Sequence, residues 1–291
     1  MREIRIHGRG GQGNVTAAEM LSVAAFTDGK YAQAFPAFGA ERTGAPVLAF
    51  VRLGDKPIRV RSQVYHPDVV VVQDPTLIKV VNVLQGLKPG GMLLINTAAD
   101  IESLGLTTDV EVTVVAVPAT DIALEVIGRP TPNTTMLGAF AGATGDVSLE
   151  AMQAAVRHRF GGLVGESNAK AVQRAYEFVR DGGKAKFVLQ PAKPAAKAES
   201  TGSAPTFTIG WPGQPGTANA YRTGDWRTFR PIFKQVACTG CTLCAVYCPE
   251  SCITALEKKK YDCDYYYCKG CGICADACPV NDIEMVKEES A

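Results

Sequence analysis

The stretch HGRGGQGNVTAAEML, residues 7–21, decides the fold class of the first part of this chain. Ahead of it, Glu3–His7 alternates polar and apolar residues, with Ile4 and Ile6 on one side, the two-residue period of a strand. Behind it, Asn14–Thr27 is an alanine-rich helix candidate. Between them Gly8, Gly10 and Gly13 stand at the G-x-G-x-x-G spacing of a strand-to-helix turn that offers backbone N–H groups to a phosphate. Arg9 adds a charge inside the loop. A nicotinamide site built this way also needs a carboxylate at the end of the second strand to hold the ribose. YAQAFPAFGA (31–40) has none there; Asp28 precedes that strand and Glu41 follows it in a loop. Two readings stay open: a phosphate cradle, or a turn needed only for tight strand–helix packing.

Outward from this turn the pattern keeps alternating. PVLAFVRLGDKPIRVRS (46–62) reads as two strands joined by a Gly-Asp-Lys-Pro turn. DVVVVQD (68–74) is the β-branched run of a strand buried on both faces. Asp74-Pro75 opens an expected helix through Leu84, stopped by Gly-Leu-Lys-Pro-Gly-Gly (86–91). MLLIN and EVTVVAV are further strands, and ATDIALEVIG and NTTMLGAFAGA further helices. Asn133 and Thr134 are cap candidates for the last of these. Helices over 148–160 and 166–181 close the unit. The expected fold of residues 1–187 is a three-layer α/β domain with a largely parallel sheet.

Composition sets the outer limits. A chain of 291 residues, 46% of them hydrophobic, has room for two domains with ordinary cores. A formal net charge of +1 argues against nucleic acid or an acidic membrane surface as the main partner. No apolar run approaches the ~18 residues of a membrane span. MREIRIHG lacks the apolar region of a signal peptide, so a cytoplasmic location is expected. Residues 188–206, which include PAKPAAKAESTGSAP, have the composition of a linker. Residues 207–231, rich in turn formers with scattered aromatics and arginines, read as an extended arm.

All ten cysteines fall within the last part of the chain, 232–291, which reads as a small α+β domain of the two-cluster bacterial ferredoxin type. CTGCTLCAVYCP (238–249) and CKGCGICADACP (268–279) repeat one motif, C-x-x-C-x-x-C-x-x-x-C-P. Three thiolates on a tight turn reach three irons of one cube, and the fourth, leaving on a helix, points to the other half. The expected ligand sets are therefore crossed: Cys238, Cys241, Cys244 and Cys278 for one [4Fe-4S] cluster, and Cys268, Cys271, Cys274 and Cys248 for the other. A pair of zinc knuckles is the alternative, but such sites commonly mix in histidine and the module has none. Cys252 and Cys263 are left over, either as redox thiols or as small buried hydrophobes. Lys258-Lys259-Lys260 reads as a solvated loop, or as a docking aid for an acidic electron carrier. His7, His66 and His158 lack metal-ligand spacing; His7 sits at the mouth of the glycine loop.

Taken together, HGRGGQGNVTAAEML, YAQAFPAFGAERTGAPVLAFVR, IRVRSQVYHPDVVVVQD and PNTTMLGA resemble the gamma subunit of 2-oxoacid:ferredoxin oxidoreductases, pyruvate:ferredoxin oxidoreductase (pyruvate synthase) above all. TGDWRTFRPIF with the cysteine repeat resembles the delta subunit, so the chain looks like a gamma–delta fusion. The resemblance implies that thiamine diphosphate, Mg and the oxoacid sit on separate alpha and beta subunits. It implies that the two clusters pass electrons toward a soluble ferredoxin or flavodoxin. It also implies a coenzyme A role on the gamma side, with Gly8, Arg9, Gly10, Gly11, Gly13 and Arg42 as candidate phosphate contacts. The loop Gly39–Pro46 would then face the catalytic subunits. Oxalate, 2-oxoglutarate and branched-chain oxoacids are the rival substrates. A self-contained NAD(P)H:ferredoxin reductase is the rival from another class, opposed by the missing ribose carboxylate. A free ferredoxin is the third, opposed by the near charge balance of the cysteine-rich module.

Overall fold

In the computed structural model, which describes residues 1–37, 44–182, 186–191, 222–256 and 260–288, the first of two units (Met1–Ala192) is organised on a seven-stranded sheet. In chain order its elements are β1 (Arg2–Arg9), α1 (Asn14–Thr27), β2 (Tyr31–Ala37), β3 (Pro46–Gly54), β4 (Val69–Val72), β5 (Gly91–Asn96) and β6 (Val112–Val117). Helices α2 (Ala119–Ile127), α3 (Asn133–Thr144), α4 (Leu149–Phe160) and α5 (Gly162–Arg180) follow, and β7 (Lys186–Leu189) ends the unit. The strands lie in the order β2-β3-β1-β4-β5-β6-β7. The central four, β1, β4, β5 and β6, are parallel; β3 runs antiparallel to both β1 and β2, and β7 antiparallel to β6.

Strand alternation divides the core in two. Ile4, Ile6, Val69, Val71, Leu94, Val115 and Val117 face one way, beneath α1–α5. Val70, Val72, Leu93, Ile95, Val112 and Val114 face the other, where Leu77, Val83, Leu84, Leu87 and Ile101 cover them from connecting segments and short 3-10 turns. The three layers are thus five packed helices, the sheet, and a cover without α-helix. The helix expected from Asp74 to Leu84 is replaced by a 3-10 turn, Pro75–Lys79. Val80, Val81 and Val83 resist helical χ1 packing, and Asn82 turns its Oδ1 onto the Leu84 N–H (3.2 Å), competing with a helical bond.

The strand expected at 58–62 is also missing, for a different reason. Arg52 on β3 points to the helix-free face and is only 1% exposed. Its Nε meets Glu3 Oε1 at 3.0 Å, and its Nη atoms donate to the carbonyls of Val60 (3.3 Å), Ser62 (2.7 Å) and Gln63 (3.3 Å). Those carbonyls are consequently spent on a side chain rather than on a neighbouring strand.

The second unit (Lys193–Ala291) comprises β8 (Phe229–Phe233), α6 (Leu243–Val246), β9 (Ile253–Ala255), β10 (Tyr261–Cys263), α7 (Ile273–Asp276) and β11 (Ile283–Lys287). β8 pairs antiparallel with β11, and β9 with β10. Residues 223–231, read from sequence as the end of an arm, belong to this body. Gly224 N–H donates to Tyr266 O (2.8 Å), the Thr223 hydroxyl to Tyr267 O, and β8 forms half of a ladder. The core is cysteine with little else: Cys244, Cys252, Cys263, Cys268 and Cys274 around Ile253 and Ile283. So small an apolar core calls for a metal or another cross-link to hold it. Among the described residues no helix is long and apolar enough to cross a membrane.

Replacing Arg52 by Met should cost about 3 kcal/mol, because it strips a buried ion pair and three carbonyls of their donor. A lowered urea midpoint, with faster tryptic cleavage after Arg59 and Arg61, would report the loosened segment. Unchanged cleavage would show that Arg52 does not hold it.

Candidate metal centre

Each cysteine motif curls its backbone in the same way. Gly240 and Gly270 adopt φ of 71° and 69°, Thr242 and Gly272 68° and 81°, and Ser251 and Asn281 50° and 51°. Thr242 is β-branched and rarely tolerates this region, so the turn is dictated by what the loop encloses. Single-turn helices α6 and α7 contain the third cysteine of each motif, Cys244 and Cys274, and carry the chain toward the fourth.

Two cavities result. One is lined by Cys238, Cys241, Cys244 and Cys278, with Phe233, Tyr261 and Ile283 among its walls. The other is lined by Cys268, Cys271, Cys274 and Cys248, with Pro231, Pro249 and Ile253. In each, three sulfurs come from one loop and the fourth from the opposite half. Four thiols around an apolar hollow are the donor set that an iron–sulfur cluster requires. Cys252 also lines the second cavity.

The two surplus cysteines stand against ligand candidates of that second cavity. Cys252 Sγ is 3.5 Å from Cys248 Sγ and 3.7 Å from Cys263 Sγ, and Cys252, Cys263 and Cys268 gather within 4.8 Å of one another. Sulfhydryl donation from Cys252 holds the Cys248 thiol down, to about 6, and donation from Cys252 and Cys263 holds Cys268 down, to about 3. Cys252 is raised by the same bonds. Burial pushes Cys274 up to about 12.

Two contacts that the sequence did not announce fix these loops. Arg227 grips Glu288 with both arms (Nε 2.8 Å, Nη2 2.9 Å), while its Nη1 donates to Tyr265 O and to Cys268 O (3.3 Å). Asp282 Oδ1 accepts from Val236 N (3.0 Å) and Ala237 N (2.8 Å), and its own N–H points to Cys278 Sγ (3.3 Å). The Ala237 and Val236 bonds keep the Asp282 carboxyl below the usual range. Lys260 donates to Gln235 O (2.6 Å), whereas Lys258 and Lys259 lie outside the described residues.

In the first unit, packing accounts for much of the glycine loop. A side chain at Gly8 would collide with Asn14, which is buried and donates to Val47 O (3.0 Å). Gly13 has φ +78°, and a Cβ there would meet Asn133 Nδ2 at 2.5 Å. Gly10 is bonded both ways to the segment before β3 (to Ala45 O at 2.8 Å, from Gly44 N at 3.0 Å). The amides of Gly11 and Gly13 make no hydrogen bond among the described residues. Arg9 is buried, with Nε on Asp74 Oδ2 (3.1 Å), Nη2 on Thr76 Oγ1 (2.7 Å) and Nη1 on Gly44 O (3.1 Å). Its charge is therefore engaged by residues that follow β4 and precede β3. Arg42 and residues 39–43 lie outside the described residues. Asn133 Oδ1 takes the Thr134 N–H (2.9 Å), whereas the fully buried Thr134 hydroxyl instead ties α3 to Asn168 on α5 (2.8 Å).

His7 is buried beneath this loop and accepts from Arg5 Nε at 3.0 Å. Burial, with the adjacent Arg5 charge, depresses its pKa to about 3. The folded state thus refuses a proton that the unfolded chain takes near 6.5, so stability should fall as pH drops from about 6.5 toward 3. His7→Gln should flatten that limb of a stability–pH curve, and the His7 ring resonances should stay neutral at pH 4.5. Titration near 6.5 would contradict this arrangement.

A family model for pyruvate ferredoxin/flavodoxin oxidoreductase matches residues 3–178, and one for a 4Fe-4S binding domain matches residues 264–284. Pyruvate synthase subunit PorC of Methanosarcina barkeri is 59% identical over 180 residues, 62% of this chain and 98% of the relative. The pyruvate/ketoisovalerate oxidoreductases common subunit gamma of Thermococcus litoralis is 53% identical over 178 residues, 61% of this chain and 96% of its own. The crystal structure of pyruvate oxidoreductase subunit PORC from Thermotoga maritima, 46% identical, superposes with a TM-score of 0.53 over 60% of this chain and 95% of that one. These relatives are matched almost end to end.

Proposed function

The chain belongs to the pyruvate ferredoxin/flavodoxin oxidoreductase family, and from that premise we propose that it is a fused gamma–delta subunit of a cytoplasmic, thiamine-diphosphate-dependent 2-oxoacid:ferredoxin oxidoreductase. The observation that carries this reading is the pair of four-cysteine cavities on a chain whose first unit matches gamma subunits along nearly their whole length. Cys238, Cys241, Cys244 and Cys278 would hold one [4Fe-4S] cluster, and Cys268, Cys271, Cys274 and Cys248 the other. Bound there, each cluster supplies one-electron chemistry at low potential. The protein's own share is to keep water from the sulfurs with Phe233, Ile253 and Ile283. Arg227 and Asp282 hold the two loops at fixed separation.

The proposed overall reaction converts pyruvate, CoA and oxidised ferredoxin to acetyl-CoA, carbon dioxide and reduced ferredoxin, with flavodoxin as the alternative carrier. Thiamine diphosphate, Mg and the oxoacid belong to alpha and beta partners. That a relative is named as common to pyruvate and ketoisovalerate oxidoreductases supports choice of the oxoacid outside the gamma part. A CoA phosphate at the glycine loop would be met by the Gly11 and Gly13 amides, since Arg9 is committed to Asp74 and Thr76.

The holo chain should carry eight irons. If ligation is crossed, Cys278→Ser should alter the same electron paramagnetic resonance signal as Cys238→Ser, and Cys248→Ser the same one as Cys268→Ser. Pairing of Cys278→Ser with Cys268→Ser would refute the crossing. Carrier reduction should require added alpha and beta subunits, oxoacid and CoA; reduction of a carrier by the isolated chain with NADH would overturn the assignment.

A further inference from the structure

We propose that Cys248, Cys252, Cys263 and Cys268 form a separate mononuclear site for a thiophilic divalent ion such as Zn²⁺, one that shares two ligands with the second cavity and so excludes a cluster there while filled. The four cysteines make two pairs, Cys248-x₃-Cys252 and Cys263-x₄-Cys268, both within the C-x₂₋₄-C spacing of structural zinc ligands. A tetrahedral ion with metal–sulfur bonds of about 2.3 Å sets its sulfurs about 3.8 Å apart. Cys252, Cys263 and Cys268 lie within 4.8 Å of one another, with Cys252 and Cys263 3.7 Å apart; Cys248 touches this group through Cys252 alone (3.5 Å) and has to close on the ion as its fourth ligand. Backbone bonds hold the pairs together: Asp264 N–H donates to Cys252 O (2.8 Å) and Cys268 N–H to Asp264 O (3.1 Å). Cys252, Cys263 and Cys268 are buried, so water competes weakly for the ion.

The internal repeat shows that the surplus thiols are not a requirement of the cluster loops. Thirty residues along, the position of Cys252 is occupied by Asp282; thirty residues back, that of Cys263 is occupied by Phe233. The first cavity thus has its own four cysteines with a carboxylate and a phenyl ring, where the second has Cys252 in its wall and Cys263 behind Cys252. Beside the second cavity, Cys252 and Cys263 offer Cys268 two sulfur neighbours that need not involve the exposed Cys271. Zinc abundance would then govern iron loading of one half of the module and leave the other half untouched.

The full-length chain, stripped of iron and kept reduced under argon, is titrated with Co²⁺, whose thiolate charge-transfer bands report tetrahedral sulfur coordination. Cys238→Ser/Cys241→Ser should retain one tightly bound ion. Cys252→Asp/Cys263→Phe, which copies the residues of the other half, should lose that ion or bind it at least tenfold more weakly. Unchanged cobalt affinity and stoichiometry in this second variant would overturn the proposal. As a check independent of any variant's folding, zinc-loaded wild-type chain is supplied with iron and sulfide; four irons with one retained zinc are expected, and eight irons beside a retained zinc would refute exclusion. The cobalt arm needs no cluster, so wild-type chain that never reaches eight irons counts against the two-cluster reading alone.

Discussion

No single cysteine loop in this protein can close a four-sulfur cavity. A C-x-x-C-x-x-C turn uses up its curvature in bringing three sulfurs to one hollow, and the next cysteine, past a one-turn helix, has already been carried away. Each half therefore completes the other. This reciprocity makes the β8–β11 and β9–β10 ladders, the Asp282 bonds to Val236 and Ala237, and the Arg227–Glu288 pair parts of one requirement. With cysteines forming most of the buried core, packing alone leaves little reserve for a loop that drifts.

The α/β unit solves a different problem by a single recurring device. Its helices crowd one face of the sheet, and odd-numbered residues of β1 and the adjacent position on β3 leave Arg5, His7, Arg9 and Arg52 on the other, all buried. Each guanidinium draws an irregular segment onto the sheet: Arg5 takes the carbonyls of Val83 and Gln85, Arg9 joins Gly44, Asp74 and Thr76, and Arg52 holds Val60–Gln63. Fixed donors stand in for the helices that cover both faces of a more regular doubly wound sheet. The glycine loop is locked at its base by the same means.

Most of the strands and α1–α5 were legible because their patterns are local. The cysteine motifs were legible because spacing and duplication encode which sulfurs share a turn. What escaped the sequence is non-local. The run Ile58–Ser62 looks like a strand until Arg52 claims its carbonyls, and Asp74–Leu84 looks like a helix until its valines and Asn82 interrupt it. β7 is too short to announce itself and exists by pairing with β6. Arg9 in a glycine loop reads as an anion contact, and only the fold brings Asp74 beneath it. Cys252 and Cys263 are eleven positions apart, and nothing in that interval says that their sulfurs meet.

The Arg227–Glu288 clasp also sets an order of events during synthesis. Every motif cysteine lies between these two residues, and β8 has no ladder partner until β11 exists. The α/β unit has all its strands once residue 189 has left the ribosome. The cysteine-rich unit must wait, open and with its thiols exposed, until residue 288 has been made. Translation thus delivers the α/β scaffold ahead of a unit whose cysteine motifs are brought together only after both have been made.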